Sequence, residues 1–141
     1  MTDDFDLGRF VDAQDRGDAL GHALEELRAG RKRSHWMWFV FPQIAGLGHS
    51  AMAQRYAISS LEEARAYLAH PVLGDRLREC ARVLLDLPGG DAEAVLGGID
   101  AVKLRSSMTL FHRAAPGEPL FAQMLDRYFD GARDDATERR L

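Results

Sequence analysis

Arg31-Lys32-Arg33-Ser34-His35-Trp36-Met37-Trp38-Phe39-Val40-Phe41-Pro42-Gln43 is the stretch whose reading decides the fold. Three cations lead through a serine and a histidine into six large apolar residues, and a proline and an amide close the run. Both tryptophans of the chain are here, two residues apart. A bilayer takes about 20 apolar residues to cross, so a run this short belongs to a soluble core. Aromatics and valine favour a sheet, and a short buried strand is the alternative reading. No other segment offers a strand partner, so the run is read as helical, with Ser34 as its N-cap and Pro42 as its stop.

Working outward, the flanks repeat the helical pattern. Upstream, Leu7, Phe10 and Val11 share one helical face. Asp15 to Asp18 interrupts, and Asp18 is the expected cap of a second helix carrying Leu20, Ala23, Leu24 and Leu27. Gly30 ends that helix, and Arg28, Arg31 and Lys32 suit its negative end. Downstream, Gln43 to Ser50 reads as a loop, and Ser50 caps a turn or two. Ser60-Leu61-Glu62-Glu63 is a capping box. Pro71 suits the first position of the next helix, whose Leu73, Leu77, Cys80, Ala81, Leu84 and Leu85 form the clearest stripe in the chain. Asp91 caps a short helix ended by Gly97-Gly98, Asp100 opens a longer one to Ala114, and Leu120 to Phe129 form the last wide apolar face. The expected fold is all-α: a single compact globular domain over residues 1–141, with six to eight helices around one core.

Composition narrows the function. A net charge of -4 argues against a general nucleic-acid binder, whose domain is usually basic. The single cysteine, Cys80, excludes an internal disulfide and falls inside an apolar stripe, so it reads as core. The N-terminus is acidic and lacks the parts of a signal peptide. A soluble, cytoplasmic protein without membrane partners is the expectation.

No phosphate loop, dinucleotide fingerprint or hydrolase elbow is present, and the five histidines show no metal-ligand spacing, so neither cofactor nor metal is expected. Two polar clusters remain. The first is Lys32, Arg33, Ser34 and His35 with Gln43. Cations, a hydroxyl and an imidazole beside a helix start suit a phosphate or carboxylate, and Trp36 or Trp38 could stack a flat ring. The plainer reading leaves the cations in solvent and the tryptophans in the core. The second cluster is Asp100, Lys103, Arg105, Ser106, Ser107 and Thr109. Three hydroxyls within four residues are poor helix formers. Close helix packing accounts for the serines alone, whereas a phosphate or sugar contact accounts for them together with Lys103 and Arg105. His35 is the first candidate for proton transfer, with Asp100 as its carboxylate partner.

These clusters carry a resemblance. Gly30 to Phe39, Phe41-Pro42-Gln43 and Gly46-Leu47-Gly48 closely resemble the signature of the domain of unknown function 1810 family, which is mainly bacterial. Tyr56-Ala57-Ile58, His70-Pro71, Lys103 to Phe111, and Gly131, Asp134 and Thr137 also look like that pattern. One departure is Gly17-Asp18, near which many relatives carry a tyrosine. The resemblance implies an all-helical domain and supplies no reaction, cofactor or partner.

The residues themselves point to a small anionic metabolite, phosphorylated or nucleotide-like. Lys32, Arg33, Lys103 and Arg105 would hold the anion, and His35 would move a proton. An analogy with small, mostly helical N-glycosidases of ADP-ribose derivatives adds hydrolysis to binding. This reading requires both clusters to face one cleft. A non-catalytic protein-interaction module is the alternative, and it requires an exposed apolar patch.

Overall fold

The computed structural model describes residues 4–141. The described residues are all-α, with ten α-helical segments, six of them eight residues or longer, and one 3-10 turn at Arg16–Asp18. The axis is α8, Gly98–Ala114, which packs against α5 (Leu61–Ala69), α7 (Ala92–Leu96), α9 (Pro119–Phe129) and α10 (Asp135–Glu138). Its central position follows from its sequence. Leu104, Met108 and Phe111 form the expected apolar face, but Ala101, Ser106, Ser107, Thr109 and Leu110 are buried too. From Leu104 to Phe111 the helix is covered nearly all round, and that stretch belongs at the middle of a core. On one side α6 (Leu73–Asp86) closes the core against α2 (Ala19–Arg28), α5 and α9. Across from it, α1 (Gly8–Asp15) rests on α2 and on the single helical turn α3 (Met37–Val40), while α4 (Ala51–Arg55) follows the loop after α3.

A run of six rings threads this arrangement. Phe39 meets Tyr56, Tyr56 meets Phe10, Phe10 meets Tyr67 edge-on at 5.1 Å, Tyr67 meets Phe111, and Phe111 meets Phe121. Aromatic pairs at such spacings add to what area burial alone contributes. Buried polar groups are matched around the rings. Gln14 donates to Phe39 O at 2.8 Å and to the Tyr67 hydroxyl, and it accepts from Arg76. Burial pushes the Tyr67 phenol far above its ordinary range, so it stays a neutral partner. Arg9 spends all five of its N–H donors on Phe5 O, Asp6 O, Arg55 O, Ala57 O and the Glu63 carboxylate.

The helix ends follow the sequence in part. Ser50, Ser60 and Asp91 each accept a backbone N–H three residues on, as their positions predict. The reciprocal half of the expected capping box is absent among the described residues: Glu63 accepts from Ser59 N and Ser59 Oγ, one residue before the cap, rather than from Ser60 N. Gly30, with φ +73°, ends α2: Gly30 N–H reaches Leu27 O and Arg31 N–H reaches Glu26 O. Those two bonds form a Schellman motif.

Four further expectations are corrected. Asp18 does not cap α2, because it sits in the left-handed region (φ 56°) and its side chain makes no cap bond. Ser34 does not cap the aromatic helix, because its hydroxyl donates to Glu26. Pro71 is not the first residue of α6. The helix begins at Leu73, and His70 Nδ1 acts as the cap, accepting from Val72 N and Leu73 N at 3.1 and 3.2 Å. Finally, α8 starts two residues before Asp100. The loop after Pro42 also carries one isolated parallel bridge, Ile44 with Ile58.

Among the described residues, no helix is long and apolar enough to cross a membrane.

Candidate functional site

Residues 31 to 36 leave the end of α2 as an irregular segment, and one side chain holds it. Glu26 Oε1 accepts from Arg33 N at 2.6 Å, Ser34 N at 2.9 Å and Trp36 Nε1 at 3.0 Å, while Oε2 accepts from Ser34 Oγ at 2.5 Å. Partial burial works against the Glu26 charge, but these bonds outweigh it and hold the carboxyl at about 2. Lys32 N–H is fixed separately, on Val95 O of α7 at 2.7 Å. The backbone that delivers Lys32 and His35 is thereby set before any ligand arrives.

The junction of α7 and α8 faces this segment across a cleft of about 340 Å³. Lys32, His35, Met37 and Trp38 line one side of it, and Leu96 to Asp100 with Lys103 line the other. The two polar clusters, some seventy residues apart in the chain, therefore meet. Their centre is Asp100: Lys32 Nζ lies 3.0 Å from Oδ2 and Lys103 Nζ lies 3.5 Å from Oδ1. Lys32 is 9% exposed, Asp100 18% and Lys103 24%. Each lysine also lies over an indole, Lys32 over Trp36 and Lys103 over Trp38, both at 5.2 Å. Two ammonium groups around one carboxylate leave one positive charge in excess.

The same wall contains the start of α8. The first backbone N–H groups of a helix have no intrahelical partner, and here no side chain caps them. Gly97 has φ +87°, which excludes most other residues, and a Cβ built on Gly97 or Gly98 would meet nothing within 4 Å. Packing does not require glycine at 98, and the space beside it is open. Uncapped helical N–H groups beside ammonium groups form a favourable setting for an anion.

The other candidates divide clearly. His35 is exposed and lines the cleft, but no hydrogen bond joins it to Asp100, whose oxygens face the two lysines. Trp36 is 2% exposed and turned to Glu26, so only Trp38 presents a ring to the cleft. Ser34 faces Glu26. Arg33 is exposed and lies outside the cleft lining. Arg105 donates to Ala132 O and Arg133 O, tying α8 to the C-terminal segment. Thr109 donates to Arg105 O and accepts from Asp134 N, and Ser107 is buried in the core. Gln43 and Ser106 line a second, adjoining groove that shares Trp38, Ile99 and Lys103 with the lysine cleft. Sequence reasoning missed Glu26 and the Gly97–Gly98 wall. The second had a signal, since a glycine pair before a helix leaves its N-terminus bare.

Among the described residues, no group of three His, Cys, Asp or Glu side chains could hold a metal ion. Cys80 is buried, and burial pushes its thiol up to about 12, outside the nucleophilic range.

Comparison with known proteins adds a family and one structure. The pattern of the family described as protein of unknown function (DUF1810) matches residues 4–141. A crystal structure at 1.38 Å, of the conserved hypothetical protein Rv1873 from Mycobacterium tuberculosis, is 52% identical. It superimposes with a TM-score of 0.95 over 99% of this chain and 98% of the other. No curated protein matches the sequence.

Proposed function

The chain belongs to the DUF1810 family, and from that premise we propose that it binds a small phosphorylated, nucleotide-like metabolite in the cleft between Lys32 and Lys103. One observation carries this reading: two poorly exposed lysines, from segments far apart in the chain, converge on Asp100 beside the uncapped start of α8. Partly buried charges are costly to gather, and a packed core gains little from two lysines at a bare helix N-terminus. A phosphate gains from both, through charge-assisted bonds and the helix dipole. Trp38 is the ring that a flat ligand would stack on.

Roles follow from the geometry. Lys103 and the α8 N–H groups contact the anion, and Lys32 supplies charge from behind. Asp100 is a positioning residue that fixes both ammonium groups. His35, exposed at the rim, is the group able to move a proton, and with it the site extends from binding to hydrolysis.

The test is a thermal-shift screen against nucleotides and sugar phosphates, repeated on Lys103→Ala and His35→Ala. Stabilisation by a phosphorylated ligand that disappears in Lys103→Ala supports the reading. Stabilisation that survives both substitutions removes the site. A product assay on the same ligands, with and without His35→Ala, decides hydrolysis.

A second reading, a protein-interaction module, is favoured by Ile99 and Val102, 78% and 61% exposed on the first turns of α8. A partner that protects these two residues while the metabolite screen stays silent would replace the first reading.

A further inference from the structure

The lysine cleft does not end at Trp38. On its other side lies a groove of about 540 Å³, within the size range of small-molecule sites and larger than the cleft itself. The two share Trp38, Ile99 and Lys103, so a ligand anchored by an anion at the lysines has a route into it. The groove has apolar walls at Leu47, Ile99 and Val102. Large aliphatic side chains exposed on the first turns of a helix, with no protein partner, are surface that a bound ring would cover.

One polar group in the groove is held in a distinctive way. Asp134 Oδ2 accepts three hydrogen bonds, from Thr137 N at 3.0 Å, Thr137 Oγ1 at 2.6 Å and Ser106 Oγ at 3.1 Å. Among the described residues, none donates a hydrogen bond to its other oxygen, Oδ1. The carboxylate is thus fixed through one oxygen, and Asp134 belongs to the groove's lining, which leaves its second oxygen as the acceptor for a ligand there. A fixed carboxylate favours N–H donors and repels carbonyl oxygens.

We infer that the groove beyond Trp38 receives the ring of the same ligand, and that Asp134 selects a heterocycle bearing an amino group over its oxo counterpart. The ligand class is then an amino-substituted nucleotide, with its phosphate at Lys32 and Lys103 and its ring between Trp38 and Val102. This presupposes the anion at the lysines, and the test separates the two.

The probes are matched pairs, AMP against IMP and CMP against UMP, with ribose 5-phosphate as the ring-free control. Titration calorimetry gives Kd for each. In the wild type, the amino member of at least one pair binds roughly tenfold tighter or more, as a charge-assisted bond implies. Asp134→Asn keeps an oxygen toward Thr137 and Ser106 but places an NH2 at the groove, so the preference reverses toward the oxo member. Because Asp134 also caps α10, a second variant is needed: Val102→Glu, at an exposed position, abolishes the advantage of nucleotides over ribose 5-phosphate. Pairs that bind alike, nucleotides no tighter than ribose 5-phosphate, or a preference unchanged by Asp134→Asn would overturn the ring assignment and leave the anion site standing. If neither nucleotides nor ribose 5-phosphate bind at all, both fail.

Discussion

The indole of Trp36 donates to Glu26 across ten residues of chain, at 3.0 Å, and the same carboxylate holds the backbone of Arg33 and Ser34. The segment that presents Lys32 and His35 is therefore hung from one glutamate of α2. Its carboxyl lies at about 2, below the ordinary 4.5. A lowered value means the contribution to stability is complete above 4.5 and is lost as pH falls toward 2. Glu26→Gln should cost about 1–3 kcal/mol at pH 7. Urea melts of wild type and variant should converge between pH 4.5 and 2. A gap unchanged at pH 2.5 would contradict this role for Glu26.

Around Asp100 the two lysines should respond unequally. Lys32 is the more buried, so Asp100→Asn strands it and should cost about 2 kcal/mol or more. Lys103→Ala, with a more exposed side chain, should cost less than about 1 kcal/mol. Chemical denaturation measures both. Equal costs would mean that the burial difference does not govern the pair energies.

Two adjacent serines on α8 should behave oppositely. The one hydroxyl hydrogen of Ser106 is shared between Val102 O and the Asp134 carboxylate, so Ser106→Ala should destabilise by about 1 kcal/mol. Ser107 Oγ is buried without a hydrogen-bond partner, and removing such a hydroxyl is neutral or stabilising. Ser107→Ala should therefore leave the urea midpoint unchanged or raise it. A clear loss would show that the hydroxyl has a partner, such as a buried water.

Cys80 provides a probe of global opening. It is buried, with its thiol pushed up to about 12. Modification by a thiol reagent at pH 8 should be negligible in the native protein and should appear in urea along the same curve as loss of helicity. Rapid labelling without denaturant would mean that the α6 stripe opens locally.

Much of this fold could be read from the sequence because it is local. The stripe from Leu73 to Leu84, the caps at Ser50, Ser60 and Asp91, and the glycine end of α2 each depend on residues within one or two turns. The errors share a cause. Ser34 looked like a cap by type, but Glu26, eight residues earlier, outcompeted the helix for its hydroxyl. His70 took a capping role that its residue type rarely signals. At the site, the residue types were legible and their convergence was not. Lys32 and Lys103 meet only because Val95 O holds the Lys32 backbone and α7 folds back on α8. Arg105, Ser106 and Thr109 shared one segment with Lys103, yet they serve the C-terminal segment, whose position nothing local specifies.

Arg9 carries one more consequence. Its guanidinium joins the carbonyls of Phe5 and Asp6 to those of Arg55 and Ala57 and to Glu63, so two stretches some fifty residues apart share one set of bonds. Neither can lift away without leaving the buried Glu63 carboxylate short of its cation, and the opening of one should free the other. In native-state amide exchange, α1 and the start of α5 should then open as one cooperative unit, with matching free energies and matching denaturant slopes.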